Sequence, residues 1–501
     1  MKGYIFFAWI SLVPLFIYIK NKNFKEILLS SFISGFIGIY FVLSWIGNFG
    51  ASVEGGYYVV LGFLIPSFTI FFVTRILIAE FLSARFPAIR FLIYPSLWII
   101  VDWIQSIGFI AFPWSYWGYS QFQFTPFIQL SSYTGIMGVT FFLILFNKVL
   151  ADLIFIYISK KEERSRFLKT FEFKNFAVLI CLILLITGYG LFIINSNGKE
   201  SRKDLKIAII QTCISPWENW KQNRFRYLET LKRYTDKSLK YDPDLLIWSE
   251  SATLENISYH YENGRLNDFE KKVLQIAKDS QKYLLTGEIG IAEDFISNRY
   301  FPQNNAVLID DNGNVLDTYA KINLVPFGEW FPYGKWFPFI KDMLLEFGGS
   351  NFIPGDNPLL FKIQNRQFGV LICYEGIFYR LCREYKKMGA EFLINITNDG
   401  WTHSYAGHIQ HFAAAKFRAI ENGIWFVRAG NTGLTALIDP FGQIINSIPI
   451  LEKGYLIGDI DFDKNHDTFY EKKGDLFLYL CMTFISILFI IFAYKQVSKQ
   501  I

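Results

Sequence analysis

Three side chains in the second half of the sequence have the types and settings that could do covalent chemistry. Cys373 follows the apolar run Phe368-Gly-Val-Leu-Ile372 and precedes Tyr374-Glu-Gly-Ile-Phe-Tyr379, the pattern of a buried strand that turns into a helix. A sulfur at such a junction faces the positive end of the coming helix, which favours thiolate, and a thiolate is a good nucleophile. The plainer reading is a core cysteine, since free Cys is among the most buried residue types. Glu250 ends the apolar run Leu245-Leu-Ile-Trp-Ser249. A carboxylate at a strand exit can face a cleft whose dryness raises its pKa towards that of a general base, or it can be a surface or helix-capping residue. Lys321 opens the loop Lys321-Ile-Asn-Leu-Val-Pro-Phe-Gly-Glu-Trp-Phe-Pro332. A cation fixed there can stabilise an oxyanion; a solvated strand-edge lysine is the alternative. Asn395-Ile-Thr-Asn-Asp-Gly-Trp401 ends another buried strand in turn residues and either walls the same cleft or is only a loop.

The elements that must position these residues lie between 196 and 472. Runs Leu205–Gln211, Leu245–Ser249, Tyr283–Ile289, Ala306–Asp310, Phe368–Ile372, Phe392–Ile396, Ile424–Arg428 and Thr435–Asp439 read as strands. Stretches near 219–238, 265–280, 376–388 and 408–422 read as amphipathic helices. Their alternation predicts one layered α/β domain with Glu, Lys and Cys at strand ends.

The rest of the chain has another texture. With 52% hydrophobic and only 19% charged residues, the sequence is too apolar for a soluble protein of 501 residues. Apolar segments near 4–19, 27–46, 57–82, 89–108, 134–158, 176–195 and 475–494 have or approach bilayer-crossing length. The first is short and could be a signal peptide, but it lacks a small-residue cleavage site. Basic loops (Lys20, Lys22, Lys25; Arg85, Arg90; Lys160 to Lys174) alternate with loops 47–56 and 109–133 that hold no Lys or Arg. That alternation makes the basic loops cytoplasmic and delivers 196–472 to the outer side, with the tail after 494 returning to the cytoplasm. Seven spans put the N-terminus outside, against Lys2. The expected organisation is a transmembrane bundle at 1–195, a catalytic domain at 196–472 and a final span with its tail at 473–501. The outer loop Phe112-Pro-Trp-Ser-Tyr-Trp-Gly-Tyr-Ser-Gln121 is either an interfacial aromatic belt or a lid over a site at the membrane surface.

Composition also excludes. A net charge of +5 without a basic aromatic block argues against nucleic acid as the main partner. Five cysteines without CxxC spacing give neither a disulfide framework nor a zinc site. His403, His408 and His411 invite a metal reading, but no Asp, Glu or Cys completes a ligand set nearby in the sequence, and His411 reads as structural or cleft-lining.

The order Glu, Lys, Cys and its local wording resemble the nitrilase superfamily and, more closely, its membrane-embedded branch, the apolipoprotein N-acyltransferases. The resemblance covers nearly the whole chain. It runs through Ile209-Ile-Gln211, Trp220, Trp248-Ser-Glu250, Thr286-Gly287, Lys321-Ile-Asn-Leu-Val-Pro-Phe-Gly-Glu329, Ile372-Cys-Tyr-Glu375, Asn398-Asp-Gly-Trp401, Gln410-His411, Arg418-Ala-Ile-Glu421 and Arg428-Ala-Gly-Asn-Thr-Gly-Leu-Thr435. Phe112-Pro-Trp114 and Gly118-Tyr-Ser-Gln121 extend it into the membrane part.

The resemblance implies an α/β fold, a nitrilase-like αββα sandwich joined to a helical transmembrane bundle. It implies Cys373 as nucleophile, Glu250 as general base and Lys321 as the cation at the oxyanion, with Glu329 and Glu375 in support. Trp220, Tyr374 and Trp401 would shape the substrate cleft. The implied reaction takes an acyl chain from the sn-1 position of a phospholipid, typically phosphatidylethanolamine, and passes it through a Cys373 thioester to the diacylglyceryl-cysteine of an apolipoprotein. No metal or other cofactor is implied. The expected setting is the inner membrane, multi-pass, with the catalytic domain periplasmic and the protein a monomer. Three departures stand out: Ser249 replaces the family's usual Pro, Thr402-His403 replace an aromatic and Gly, and seven spans are counted where the family is credited with eight. The rivals are a membrane-tethered amidase, which needs the triad but not the spans, and a non-catalytic lipoprotein-binding homologue, which an altered Cys, Glu or Lys would have signalled. A transporter fits less well, since the spans carry few charges, Asp102 and Asp152 being exceptions, and show no paired broken helices.

Overall fold

The computed structural model describes residues 5–48, 62, 64–108, 111–159, 167–196, 202–294, 299–331, 351–402 and 404–498. Outside these lie Lys2, most of the loop 47–56, the start of the span expected at 57–82, the basic run 160–166, Pro332, His403 and Lys499. The chain divides into two compact units, one of helices before residue 199 and after Asp467, the other built from Lys199–Asp467.

In the helical unit, six helices among the described residues are long and apolar enough to cross a membrane: Phe24–Gly47, Ile65–Ser83, Pro87–Ile104, Ser131–Ser159, Phe171–Ser196 and Leu476–Val497. The first expected span is different. It forms two short pieces, Phe7–Ile10 and Val13–Tyr18, with Pro14 in the first turn of the second. Proline fits best in a helix's first turn, so the second piece starts there, and neither piece has the ~20 residues of a straight crossing. The described part of the outer aromatic loop packs into its own unit. Trp114, Tyr116 and Tyr119 are buried, Trp117 donates its indole N–H to the Ala8 carbonyl, and the Gly118 amide donates to Thr140.

The second unit contains two six-stranded sheets. One is ordered β12-β1-β2-β3-β4-β5, from Gly454–Ile460, Leu205–Gln211, Leu245–Ile247, Tyr283–Asp294, Arg299–Ile309 and Val315–Ala320. The other is ordered β11-β10-β9-β8-β7-β6, from Ile444–Ile448, Thr435–Ile438, Trp425–Gly430, Phe392–Thr397, Arg366–Ile372 and Leu360–Ile363. The central strands are buried on both faces, which is why they read as unbroken apolar runs. In β1, Ile207 and Ile209 join Phe368, Val370, Phe392 and Val427 between the sheets. The intervening Ala208 and Ile210 face Leu228, Leu231, Val273 and Ala277 of the outer helices. Each of the larger side chains among these, Val, Leu, Ile or Phe, contributes about 1.5–3 kcal/mol by leaving water. The result is a four-layer αββα sandwich.

Helix ends follow local chemistry. Asn219 caps Trp220–Leu239, and an Asn267–Glu270 capping box starts Asp268–Ser280. Gly389 and Gly423, both left-handed, end Tyr379–Met388 and Tyr405–Asn422.

Strands β1, β2 and β3 are mutually parallel, as are β7, β8 and β9. Strand β5 runs the same way as β3, because both are antiparallel to β4. The carboxyl ends of β2, β3 and β5 therefore share one edge of their sheet, and ligand sites form outside such ends.

Candidate active site

Glu250, Lys321 and Cys373 each leave the carboxyl end of a strand. Glu250 stands three residues after β2, Lys321 directly follows β5, and Cys373 directly follows β7. All three are buried. Lys321 Nζ lies 2.7 Å from Glu329 Oε1 and 3.7 Å from Glu250 Oε1. One amide ties the two carboxylates together: Asn304 Nδ2, on β4, donates to Glu250 Oε1 at 2.8 Å and to Glu329 Oε1 at 3.0 Å. The Asn398 amide donates to Glu250 Oε2 at 2.7 Å, and the Val325 amide to Glu329 Oε2 at 2.9 Å. The approach of β3 to this turn requires a residue without a side chain. A Cβ on Gly287 would stand 2.6 Å from the Ser251 nitrogen and 2.9 Å from Glu250 Cα.

Burial raises the Glu250 pKa; Lys321 opposes this and Glu329 adds to it, and the net direction is up. Burial opposes the charge on Lys321, but Glu329, Glu250 and the cysteine outweigh it and hold the ammonium charged. The cysteine corrects the sequence expectation. Cys373 opens a short 3-10 turn, Cys373–Ile377, and the α-helix begins only at Tyr379. Its pKa is pushed well up, first by burial and then by Glu250, with Lys321 and the Thr397 hydroxyl pulling weakly the other way. The resting sulfur is a thiol, because a dry pocket that already holds a carboxylate disfavours a second anion more than a one-turn dipole favours it. Such a thiol becomes a nucleophile only once a base has removed its proton.

Glu375 lies behind the reacting groups. Its Oε1 accepts from the Tyr319 hydroxyl and the amides of Ile322 and Asn323, while Oε2 accepts from the Ile372 amide. This carboxylate fastens the start of the Lys321 loop to the strand that carries Cys373. Tyr374 is buried with its ring on Phe378, 5.1 Å between centroids. Trp401 is half-buried on the turn Asp399–Trp401. Trp220 packs on Phe269 and Tyr227 and donates to Glu255, contacts that belong to the outer helix layer.

Sequence reasoning missed two groups. Asn304 gave no local signal, being one polar residue in a strand 54 positions from Glu250. The buried set Asp399, His411 and Arg428 had a partial one: a charge inside the apolar strand Trp425-Phe-Val-Arg-Ala-Gly430 needs a partner. Among the described residues no group of three His, Cys, Asp or Glu could hold a metal ion; His411 Nδ1 is instead 2.7 Å from Asp399.

A strand-end Cys–Glu–Lys constellation on an αββα sandwich defines the carbon-nitrogen hydrolase class, and that family's model matches residues 206–468. The model for the apolipoprotein N-acyltransferase N-terminal domain matches residues 2–149. Relatives resemble the chain over nearly its full length. Apolipoprotein N-acyltransferase 1 of Treponema denticola is 29% identical, covering 96% of this chain and 90% of its own. The apolipoprotein N-acyltransferase of Rickettsia bellii is 30% identical, covering 93% and 89%. That of Geobacter metallireducens is 28% identical, covering 95% and 88%. The chain belongs to the apolipoprotein N-acyltransferase family. It is a multi-pass membrane protein and an acyltransferase.

Proposed function

We propose that this enzyme moves an acyl chain from the sn-1 position of a phospholipid, phosphatidylethanolamine for preference, to the α-amino group of a diacylglyceryl-cysteine on an apolipoprotein. The observation that supports this reading most directly is the buried cluster of two carboxylates around Lys321, at strand ends of the same sandwich whose β7 ends in the buried Cys373. In the first half-reaction Glu250 takes the thiol proton as Sγ attacks the ester carbonyl, and Lys321 stabilises the developing oxyanion. The proton passes to the departing lysophospholipid oxygen, leaving a thioester. In the second half-reaction the acceptor amine attacks the thioester, Glu250 takes the amine proton, and Sγ leaves and is reprotonated. Glu329 holds Lys321, Glu375 holds the loop and strand that carry Lys321 and Cys373, and Tyr374 and Trp401 shape the cleft, while Trp220 acts from the outer helix layer through Glu255. No metal is assigned a step. We assign the chemistry to residues 196–472 on the periplasmic side of the inner membrane, an orientation supported by the alternation of basic and uncharged loops, with the enzyme acting as a monomer.

Intact-mass measurement of purified protein incubated with phosphatidylethanolamine tests this. The expected result is a hydroxylamine-labile acyl adduct on wild type and none on Cys373→Ala, discharged by a diacylglyceryl-cysteine peptide. No adduct on folded wild-type protein would remove the phospholipid donor.

A further inference from the structure

The cysteine that the proposed reaction relies on has a backbone most residues avoid: Cys373 has φ +51°. A left-handed conformation costs a non-glycine residue about 1–2 kcal/mol, so something must hold it. Two side chains grip its carbonyl oxygen. Asn395 Nδ2 donates at 3.2 Å, and His411 Nε2 stands at 3.1 Å, where a carbonyl can only accept. Both are themselves held. Arg428 Nη1 donates to Asn395 Oδ1 at 2.8 Å and Nη2 to Asp399 Oδ2 at 2.7 Å, while His411 Nδ1 lies 2.7 Å from Asp399 Oδ1 and 3.1 Å from Arg428 Nη2; burial and Arg428 hold the ring's pKa below its ordinary value, so with its proton on Nε2 the ring accepts from Arg428 at Nδ1 and Asp399 fixes it through that guanidinium. All four residues are buried. The same turn donates the Asn398 amide to Glu250. One short segment, Asn398–Asp399, therefore touches the base directly and reaches the nucleophile's backbone through His411.

We infer that Asp399 and His411 form a positioning pair for the reaction: His411 clamps the Cys373 carbonyl, fixes the residue's left-handed backbone and so keeps Sγ aimed at the site shared by Glu250 and Lys321. The inference rests on the reading of Cys373 as nucleophile. Neither residue touches substrate. Asp399 is an anchor for this purpose: burial opposes its charge, but Arg428 and then His411 overcome that and hold its pKa well below the usual carboxylate range.

The test separates the two ring nitrogens. In His411→Gln the amide N–H can occupy the place of Nε2 and still donate to the Cys373 carbonyl. In His411→Asn it can occupy only the place of Nδ1. Thioester formation from phosphatidylethanolamine is timed by quenched intact mass, with mapped alkylation of Cys373 by iodoacetamide as a lipid-free readout. The Asn variant is expected to slow acylation about 30-fold or more with KM within about twofold, as a misplaced reacting group does, while the Gln variant stays within about threefold of wild type. Equal rates in the two variants, whether both normal or both lost, would overturn the clamp. Should the ring replacements not fold, Asp399→Asn keeps the shape of the anchor and is expected to slow acylation about tenfold; a wild-type rate there overturns the pairing. A wild type that never forms an adduct on Cys373 instead defeats the underlying reading, so the two failures are distinguishable.

Discussion

Both units bury charge, with opposite arithmetic. In the helical unit one carboxylate, Asp152, is shared by three cations, Lys20 Nζ at 3.2 Å, Lys148 Nζ at 3.1 Å and Arg90 Nε at 3.0 Å, with Arg90 also 3.6 Å from Glu172. In the sandwich one cation, Lys321, is shared by Glu250 and Glu329. The Asp152 cluster acts as a pin that joins the first short helices to two longer ones. Around Lys321 two carboxylates compete for one partner, and burial then lifts the pKa of Glu250. Buried ion pairs add little net stability, so excess of one sign, more than burial itself, marks where a proton can move.

The largest effect expected from breaking this contrast is at Lys321. Lys321→Met would leave two carboxylates facing each other without a cation; activity should vanish, and denaturant unfolding should show about 3–5 kcal/mol lost. Glu250→Gln keeps the size but cannot take a proton, and single-turnover acylation should fall about 10²–10⁴-fold; its NH2 would face a donor where Glu250 accepts from both Asn304 and the Asn398 amide, so about 1–3 kcal/mol of stability should go with it. Asp152→Ala is the reciprocal test. It removes the carboxylate shared by Lys20, Lys148 and Arg90, leaving Arg90 only Glu172, and should lower stability by about 3 kcal/mol while the acylation rate per folded molecule stays that of wild type. A lost rate there would mean the two clusters are not separate in role.

The pH profile sharpens the same comparison with a smaller effect. Because the Glu250 pKa is raised, kcat/KM should fall with acid already above the ordinary glutamate range. The sign for stability is reversed at this residue: a raised folded pKa favours the fold at low pH and loses that contribution as pH rises through the folded value. Asp399 behaves oppositely, its contribution being present above the ordinary aspartate range and lost as pH falls towards its depressed value. Acid should therefore stop catalysis before it unfolds the sandwich, as paired activity and circular-dichroism titrations would show. The smallest perturbation is Gly433→Ala, whose Cβ would stand 1.9 Å from Asp399 Oδ2 and should cost about 1–3 kcal/mol of stability.

The sequence by itself determined the central strands, the long spans and the strand-end placement of Glu250, Lys321 and Cys373, because burial on both faces leaves an apolar run that no pairing partner is needed to recognise. The strands it did not announce, Val315–Ala320, Leu360–Ile363, Ile444–Ile448 and Gly454–Ile460, are the four sheet edges, where mixed exposure erases the pattern. Only the tertiary structure decided that the first apolar segment forms two short helical pieces, that the outer aromatics pack inward, that Asn304 bridges two carboxylates and that Asp399 reaches Cys373 through His411. Tertiary structure also decided the state of the sulfur. A local dipole can be read from neighbours in sequence, but desolvation and the field of Glu250, 123 positions away, exist only once the strand ends have been brought together.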